Sequence, residues 1–589
     1  MRMKILIIII LSLCIVSSTF KLHNGIEIIG RAEKNVDDGV TILLLSGDSY
    51  EMGFQYGTLM KEELMDSASI FRKIIQDNEK NIFKIIIKNI KAGRLINREY
   101  KKLPIRYQDE IIGMYDGSGL RFRDIKMLTC AHAFINFGCS SFLINTGEQI
   151  LHARNFDYAP IEISEYPILV HYQPDDRLSY VNIGSCGYLG MHTGMNEYGI
   201  SFSNNNSEGF DDQTETMSYL YASRQILETA KSLKDVELYC ADFNSDHGAI
   251  WTFNSRRDND ALIIDLFPGK SVMSYLEART DVAVWNFFHN KKMKEDFNTL
   301  FSIENDYRPK AYSKIIAQHI PETIDDMFQL LSDTSYYDYP FVPGAGSINN
   351  ASTLMSVVFD NKEDKIYYSF SDGYSGGGRF YLYDAVRKHS VPYHEAPIDS
   401  GHENAKQQMV FRNDQYLKQL SSGNFRNLYS KTNTDYPIPY NMLRTLMLFL
   451  DYPGVEPDTE SLEKTIETML SEYPTLSELY LLKAEIEALK ENYEDAVFIL
   501  LDYIESGWEL PAGKLFSLHY FLAKYADKAY DMSTRKKSAE IVITIYEKYR
   551  RAYDPNNDYF IKEYEQYKNW AEEPIVGPDS WMKLNSTIR

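Results

Sequence analysis

The chain has 589 residues, 44% of them hydrophobic, and a formal net charge of −21. That length suggests two to four domains of ordinary size. The negative balance argues against a nucleic-acid partner, because phosphate binding needs a basic face; it favours solubility and says nothing of fold.

The chain opens with Met1-Arg2-Met3-Lys4, an apolar run from Ile5 to Val16 broken only by Ser12, and the small residues Ser17, Ser18 and Thr19. Basic start, short apolar core and small-residue exit read as an export signal peptide over residues 1–19. The run is short for a bilayer span, although an uncleaved anchor is the rival reading. The mature protein is therefore expected to be secreted or periplasmic, with no membrane span after signal removal. Cys130, Cys139, Cys186 and Cys240 then remain. Export permits disulfides, but the spacing shows no tight framework. No CxxC pair and no HExxH occur, so neither a metal site nor a cofactor is expected.

Val40 to Leu45 reads as a strand, and Gly47 to Gly57 as a loop running into a helix. From Ala68 to about Lys102 the pattern is helical and basic, with Ile85, Ile86, Ile87 and Ile90 as its buried face and the lysines as a solvated one. Tyr107 to Leu128 reads as a helix and a turn at Gly117-Ser118-Gly119-Leu120. From Cys139 to about Asp384 strands dominate, among them 166–172, 180–183, 200–203, 249–253 and 261–266. Residues 355–359 and 365–369 read as a hairpin, and 218–232 as an amphipathic helix. A linker is expected at 391–412, followed by a purely helical region, 413–589. Within it Ser477 to Glu505 reads as a helix-turn-helix with small residues at Ala484 and Ala496, similar to a single tetratricopeptide (TPR) repeat. One copy cannot bury its own face, so flanking helices such as Lys536–Tyr549 must complete it.

The stretch Gly138-Cys139-Ser140-Ser141-Phe142-Leu143-Ile144, a turn at Asn145-Thr146-Gly147, and Gln149 to Asp157 carry the chemistry. They read as a β-hairpin with a thiol at one end and Arg154-Asn155-Phe156-Asp157 folded back beside it. A thiolate beside a cation is a nucleophile at neutral pH. Such a cysteine needs a base. No histidine stands out among His132, His152, His192, His247 and His289. Cleavage between Gly138 and Cys139 would instead give the cysteine a free α-amine, with a pKa of about 7.7–8.0, beside its own thiol.

At this point the residues resemble a known family, the amino-terminal-nucleophile (Ntn) hydrolases of the choloylglycine hydrolase and penicillin V acylase type. The branch they are most similar to contains acyl-coenzyme A:6-aminopenicillanic acid acyltransferase. Motifs in matching order carry the resemblance: Ser49-Tyr50-Glu51-Met52-Gly53 with Gly57; Glu110 to Gly119; Gly138-Cys139; Arg154-Asn155-Phe156-Asp157; Gly184 to Asn206 with Gly194-Met195-Asn196-Glu197; and Asn286 within Val284-Trp285-Asn286-Phe287-Phe288. The resemblance implies an α+β four-layer αββα fold with Cys139 as nucleophile and the Gly138–Cys139 bond as self-cleavage junction. Arg154 would lie against the thiol and lower its pKa, and Asp157 would hold the α-amine. Asn286 would donate to the oxyanion, with a second amide from Asn204-Asn205-Asn206, Asn205 matching best by motif spacing. Asn204 and Asn206, with Tyr188 and Met191, are then substrate-facing or pocket-wall candidates. Phe287-Phe288 departs from the family's His-Phe, and the late arginine of bile-salt-type members has no partner in Thr353-Leu354-Met355-Ser356-Val357.

The expected organisation is a signal peptide (1–19), an N-terminal segment (20–138) released by self-cleavage but still associated, a catalytic domain (139–390), the linker, and the all-α domain, which would offer a surface to a protein partner. The expected activity is hydrolysis of a non-peptide C–N amide bond of a small N-acyl substrate through a thioester, or transfer of the acyl group to an amine. Two rivals stay open: a secreted binding or scaffold protein with a decayed Ntn domain, and a Cys-His protease.

Overall fold

Alternating and continuous apolar runs between Lys21 and Glu395 build two β-sheets, and the chain beyond Thr459 builds helices. The computed structural model describes residues 21–395 and 459–572, apart from the stretches 24–25, 38, 77–81, 131–136, 159–165, 212–214, 277–280, 299–302, 304–305, 337–338, 340–345, 351, 371–373, 509 and 550–562. The expected signal peptide and most of the expected linker lie outside the described residues.

The first sheet has eleven strands in the spatial order β1 (Lys21–His23), β2 (Ile26–Ile29), β3 (Ala32–Asp37), β4 (Val40–Gly47), β7 (Pro167–Pro174), β8 (Tyr180–Ser185), β9 (Thr193–Asn196), β10 (Ile200–Phe210), β11 (His247–Ser255), β12 (Asp260–Phe267) and β13 (Lys270–Tyr275). The second has seven: β14 (Asp281–Val284), β5 (Phe137–Asn145), β6 (Ile150–Tyr158), β15 (Thr353–Asp360), β16 (Lys365–Phe370), β17 (Arg379–Asp384) and β18 (His389–Glu395). Among the described residues only β4 and β7 pair in parallel. A parallel pair needs a long crossover, and here the crossover contains the β5–β6 hairpin of the other sheet.

Strand periodicity of two sorts side chains to opposite faces. On β4, Leu43 and Leu45 join a core shared with Met52, Tyr56, Met114 and Val236 of the helices. Val40 and Ile42, on the other face, join Val357, Phe359 and Tyr383 of the second sheet. Helix Ile324–Ser332 covers the far side of that sheet, with Phe328 stacked 4.1 Å from Phe380. The layers therefore run helix, sheet, sheet, helix, an α+β arrangement.

Two of the sequence motifs turn out to serve packing. Helix Ser49–Leu59 starts at an Asp48–Glu51 capping box. It crosses helix Ile105–Ser118 so closely that a Cβ on Gly53 would sit 2.0 Å from the Glu110 carbonyl oxygen, and one on Gly113 2.2 Å from that of Tyr50. Gly57 and Gly117 meet Met114 and Phe54 the same way. Only glycine permits this approach of backbones. Gly119 ends the second helix in the left-handed conformation at φ 67°.

Several expectations need correction. The helical stretch from Ala68 belongs to two helices, Lys61–Gln76 and Ile82–Lys102, and Ile90 is 49% exposed rather than buried. The side chains of Ile85, Ile86 and Ile87 lie outside the described residues. The helix expected at 218–232 stops at Leu227, because Ser232 caps a new helix, Leu233–Ala241. The linker does not begin at Val391: His389–Glu395 pairs with β17, and Pro392 sits beside a register shift on an edge strand, where proline is tolerated.

The chain divides into two compact units: Met1–Asn290 with Arg308–Ser335 and Ala345–Val410, and Lys291–Tyr307 with Tyr336–Gly344 and Phe411–Arg589. Residues 291–307 and 336–344, expected in the catalytic domain, thus group with the helical unit. In that unit Ser477–Leu489 and Tyr493–Glu505 form the expected helix-turn-helix. Ala484 and Ala496 are fully buried against Leu500, Leu518 and Leu522, so helix Ala512–Lys528 completes their core. Helices Met532–Tyr549 and Tyr564–Glu572 extend it.

Candidate active site

The turn at Asn145–Gly147 folds β6 back on β5 with Cys139 opposite Phe156 and Gly138 opposite Asp157. This register fixes the site. A Cβ on Gly138 would lie 3.0 Å from the Asp157 Cβ, so a side chain there would push the aspartate away. Cys139 is 1% exposed. Its Sγ accepts a hydrogen bond of 2.8 Å from Arg154 Nη2. Its backbone N–H donates to Asn286 Oδ1 at 2.9 Å, and its carbonyl oxygen accepts from Arg308 Nη1 at 2.8 Å.

Arg154 is fully buried, a cost offset by acceptors on both terminal nitrogens, Nη1 and Nη2, while its Nε meets none among the described residues. Nη1 donates to the His192 carbonyl oxygen and, at 2.7 Å, to Thr193 Oγ1. Nη2 donates to the Cys139 sulfur and, at 3.0 Å, to the Asn204 carbonyl oxygen. The guanidinium also lies 5.1 Å from the centre of the Phe156 ring. Asp157 Oδ1 accepts from Thr353 Oγ1 at 2.6 Å, and Oδ2 lies 3.7 Å from Arg308 Nη1.

Burial dominates the electrostatics. It pushes the Cys139 thiol up, and Arg154 followed by Arg308 pulls it back while the Asp157 charge adds to the rise. Arg154 thus lowers the thiol pKa, as expected, but against a larger desolvation cost that leaves the thiol raised. Burial likewise pushes the Asp157 carboxyl up, against Arg308 and Thr353. Among the described residues the other cysteines, Cys130, Cys186 and Cys240, are buried free thiols pushed well up by the same cause.

The asparagine run divides between two faces. Asn205 Nδ2 donates to the carbonyl oxygens of Val284 (2.9 Å) and Trp285 (3.2 Å), and its Oδ1 accepts from Ser141 at 2.6 Å. It pins β10 to the end of β14, and both its N–H groups are spent there. Asn205 is thus not a free donor, contrary to the spacing-based choice. Asn204 and Asn206 point to the other face, where Asn204 Nδ2 donates to Asn206 Oδ1 at 3.1 Å. Asn286 Nδ2 donates to the Asn206 carbonyl oxygen at 2.9 Å, so Asn286 faces the Cys139 nitrogen as an acceptor while its own donor is engaged. Tyr188 stacks on His192 at 5.0 Å, and His192 lies 5.2 Å from the Phe156 ring. Met191 is fully buried in the core beside Leu220, so it packs rather than lines the site.

Behind the thiol a polar line crosses between the sheets. His152 Nδ1 and Nε2 bond Ser201 Oγ (2.8 Å) and Ser203 Oγ (2.9 Å), and Ser203 donates to Ser141 at 3.0 Å. Burial pushes His152 down to about 3, so it is neutral and structural, not a general base. Among the described residues no histidine is hydrogen-bonded to Cys139. Nor do three His, Cys, Asp or Glu side chains among them come together to hold a metal ion.

Sequence reading missed Arg308, Thr353 and Tyr219. Arg308 starts helix Arg308–Gln318 and reaches Cys139, Ser140, Asn286 and Asp157 at once. Nothing in Tyr307-Arg308-Pro309 marks it, because only the tertiary fold brings that helix start to β5. Thr353 carries no motif signal of its own. Tyr219 donates its hydroxyl to Asn206 Oδ1 at 2.8 Å.

Residues 144–373 match the family model of acyl-coenzyme A:6-aminopenicillanic acid acyl-transferase. That stretch is similar in sequence to this family, which is of Ntn-hydrolase type. Cys139 itself precedes the matched span. An uncharacterised protein of Archaeoglobus fulgidus is 22% identical over 355 residues, 53% of this chain and 58% of the relative. Protein dcd1B of Dictyostelium discoideum is 25% identical over 195 residues, 28% of this chain and 39% of the relative. The chain thus spans less than two thirds of either curated relative. Among solved structures, a Caenorhabditis elegans N-acylethanolamine-hydrolyzing acid amidase ortholog is 17% identical, with 38% of this chain and 93% of that one covered at a TM-score of 0.30. A mutant conjugated bile acid hydrolase from Clostridium perfringens is 11% identical, with 44% and 99% covered at 0.30.

Proposed function

We propose that the protein is an exported amidohydrolase that cleaves itself before Cys139 and then uses that residue as an N-terminal nucleophile on a non-peptide amide of a small N-acyl substrate. The observation that carries this is the pair of contacts on one residue: Arg154 on the thiol and Asn286 on the backbone nitrogen that cleavage would free. In self-cleavage the thiolate attacks the Gly138 carbonyl carbon. The C–N bond to Cys139 breaks, its nitrogen takes a proton and becomes the α-amine, and water hydrolyses the thioester to leave the Gly138 carboxylate and the free thiol. The α-amine then serves as base for the same thiol.

In the substrate reaction the acyl group passes to Sγ, the amine leaves with a proton, and water or an acceptor amine releases the acyl group. Arg154 stabilises the thiolate, and Asp157 and the Asn286 oxygen hold the ammonium form of the amine. An oxyanion donor is assigned to Asn206 rather than Asn205 or the engaged amide of Asn286, since the Asn206 Nδ2 hydrogens donate to no described residue. The two chains stay together, a reading supported by the buried Glu110–Arg224 ion pair that spans the junction in sequence. The helical unit, TPR-like in its one recognisable helix pair, would serve a protein partner. The test is a panel of N-acyl amino acids, bile-salt-like conjugates and other acyl amides, followed by mass spectrometry, with Cys139→Ala as control. Cys139-dependent release of acyl acid or transferred acyl amide is expected. Release that Cys139→Ala retains, or no release from the self-cleaved protein, refutes the reading.

A further inference from the structure

Tyr219 is the first residue of helix Tyr219–Leu227 and is 1% exposed. Its position is over-determined. Ser218 caps the helix by accepting from the Leu220 N–H, the Tyr219 N–H donates to Asp246 Oδ1 at 3.1 Å, and its ring packs 5.2 Å from that of His247. A residue held this firmly presents its hydroxyl at one point. There it donates to Asn206 Oδ1 at 2.8 Å, and Asn204 Nδ2 donates to the same oxygen at 3.1 Å.

A carboxamide has two ends that differ only in which atom donates. Two donors converging on one end decide the orientation: the oxygen faces Tyr219 and Asn204, and the NH₂ group faces away. The Asn206 backbone is fixed separately, by Asn286 Nδ2 on its carbonyl oxygen, and Asn286 in turn accepts from the Cys139 nitrogen. Asn206 is therefore tied on its backbone side to the residue that holds the nucleophile and on its side-chain side to Tyr219.

We propose that Tyr219 is a positioning residue that sets the direction of the Asn206 carboxamide, so that its N–H groups point to the developing oxyanion. This rests on the Cys139 nucleophile reading above. Oxyanion donors act only when aimed beforehand, since a donor that must turn during the reaction loses most of its effect. Burial, followed by the nearby Asp246 and Cys139 charges, pushes the Tyr219 hydroxyl well up, so it remains a donor over the whole working range of pH.

The test combines kinetics with a readout that needs no activity. Asn206→Ala should lower kcat about 100- to 1000-fold, the usual loss for one oxyanion donor. Tyr219→Phe should lower kcat about 10-fold with KM unchanged, and in the Asn206→Ala background it should add less than about 2-fold, by the logic of coupled residues. In uncleaved Cys139→Ala protein the Asn206 side-chain NH₂ signals should broaden or shift on adding Tyr219→Phe. A full 10-fold loss from Tyr219→Phe in the Asn206→Ala background, or unchanged Asn206 signals, overturns the role of Tyr219 alone. Full activity of Asn206→Ala beside inactive Cys139→Ala overturns the assignment of Asn206 as donor and, with it, this proposal.

Discussion

Arg224→Met tests the energetics that join the two sides of the proposed cleavage point. Arg224 is 1% exposed and donates from Nη2 to Glu110 Oε2 at 2.6 Å and from Nε to Glu228 Oε1 at 3.0 Å. Its guanidinium also lies between the Tyr107 and Tyr172 rings, at 4.8 and 4.7 Å from their centres. Glu228 keeps Arg177 at 3.3 Å if Arg224 is lost. Among the described residues Glu110 has Arg224 as its one ion-pair partner, and its Oε1 accepts no hydrogen bond from them. Methionine fills much of the volume, so the main loss is the stranding of a buried carboxylate, which costs about 3–5 kcal/mol.

The pH dependence gives the sharper check. Burial holds the Glu110 carboxyl above its ordinary value, with Arg224 opposing that rise. In Arg224→Met the opposition vanishes and the folded-state pKa climbs further. A carboxyl raised in the folded state contributes its stability at low pH and loses it as pH rises through the folded-state value. The deficit of the variant should therefore be largest near neutrality and shrink on acidification towards the ordinary carboxylate range. Glu110→Gln/Arg224→Met should recover part of the loss and flatten the pH dependence. Hydrogen exchange of the amides in helix Ile105–Ser118 and strands β7 and β8, between about pH 5.5 and 8, reads the local opening free energy. A loss under about 1 kcal/mol at neutral pH, or a deficit that does not shrink with acid, refutes this account of the cluster.

Other perturbations address the site. Arg154→Lys keeps a charge but cannot serve four acceptors from one ammonium; losing a charge-assisted bond worth about 1.5–3 kcal/mol should slow self-cleavage roughly 10- to 150-fold in time courses on gels. Thr353→Val removes the hydroxyl on Asp157, which holds the carboxyl down, so the carboxyl should titrate higher and the acid limb of the self-cleavage pH profile should move to higher pH; an unmoved limb would contradict the role of Asp157. His152, pushed down to about 3 from an ordinary 6.5, contributes stability above about pH 6.5 that is lost as pH falls towards its folded value. The advantage of wild type over His152→Gln should accordingly shrink below about pH 6.5, as read by urea unfolding, and a constant difference would refute a neutral buried His152.

The hairpin and its chemistry were legible because strand alternation and a two-sided turn are local signals, and Gly138, Cys139, Arg154 and Asp157 all lie within them. The opening and glycine-rich motifs were legible as motifs but not as helix packing, since the contact between Gly53 and Glu110 is a property of two helices rather than one. Asn205 was misjudged for a period-two reason: in a strand, a one-residue error moves a side chain to the opposite face. Arg308 and Tyr219 were invisible because each acts from the first residue of a helix whose approach to the site is set by tertiary packing. The strand at His389–Glu395 was hidden by Pro392, which an edge strand accommodates.

The most direct test of the central claim is intact mass together with N-terminal sequencing of the purified protein, beside Cys139→Ala. The account predicts two chains, the larger beginning at Cys139, and a single uncut chain in the variant. One uncut chain in both, or cleavage that persists in Cys139→Ala, would contradict it.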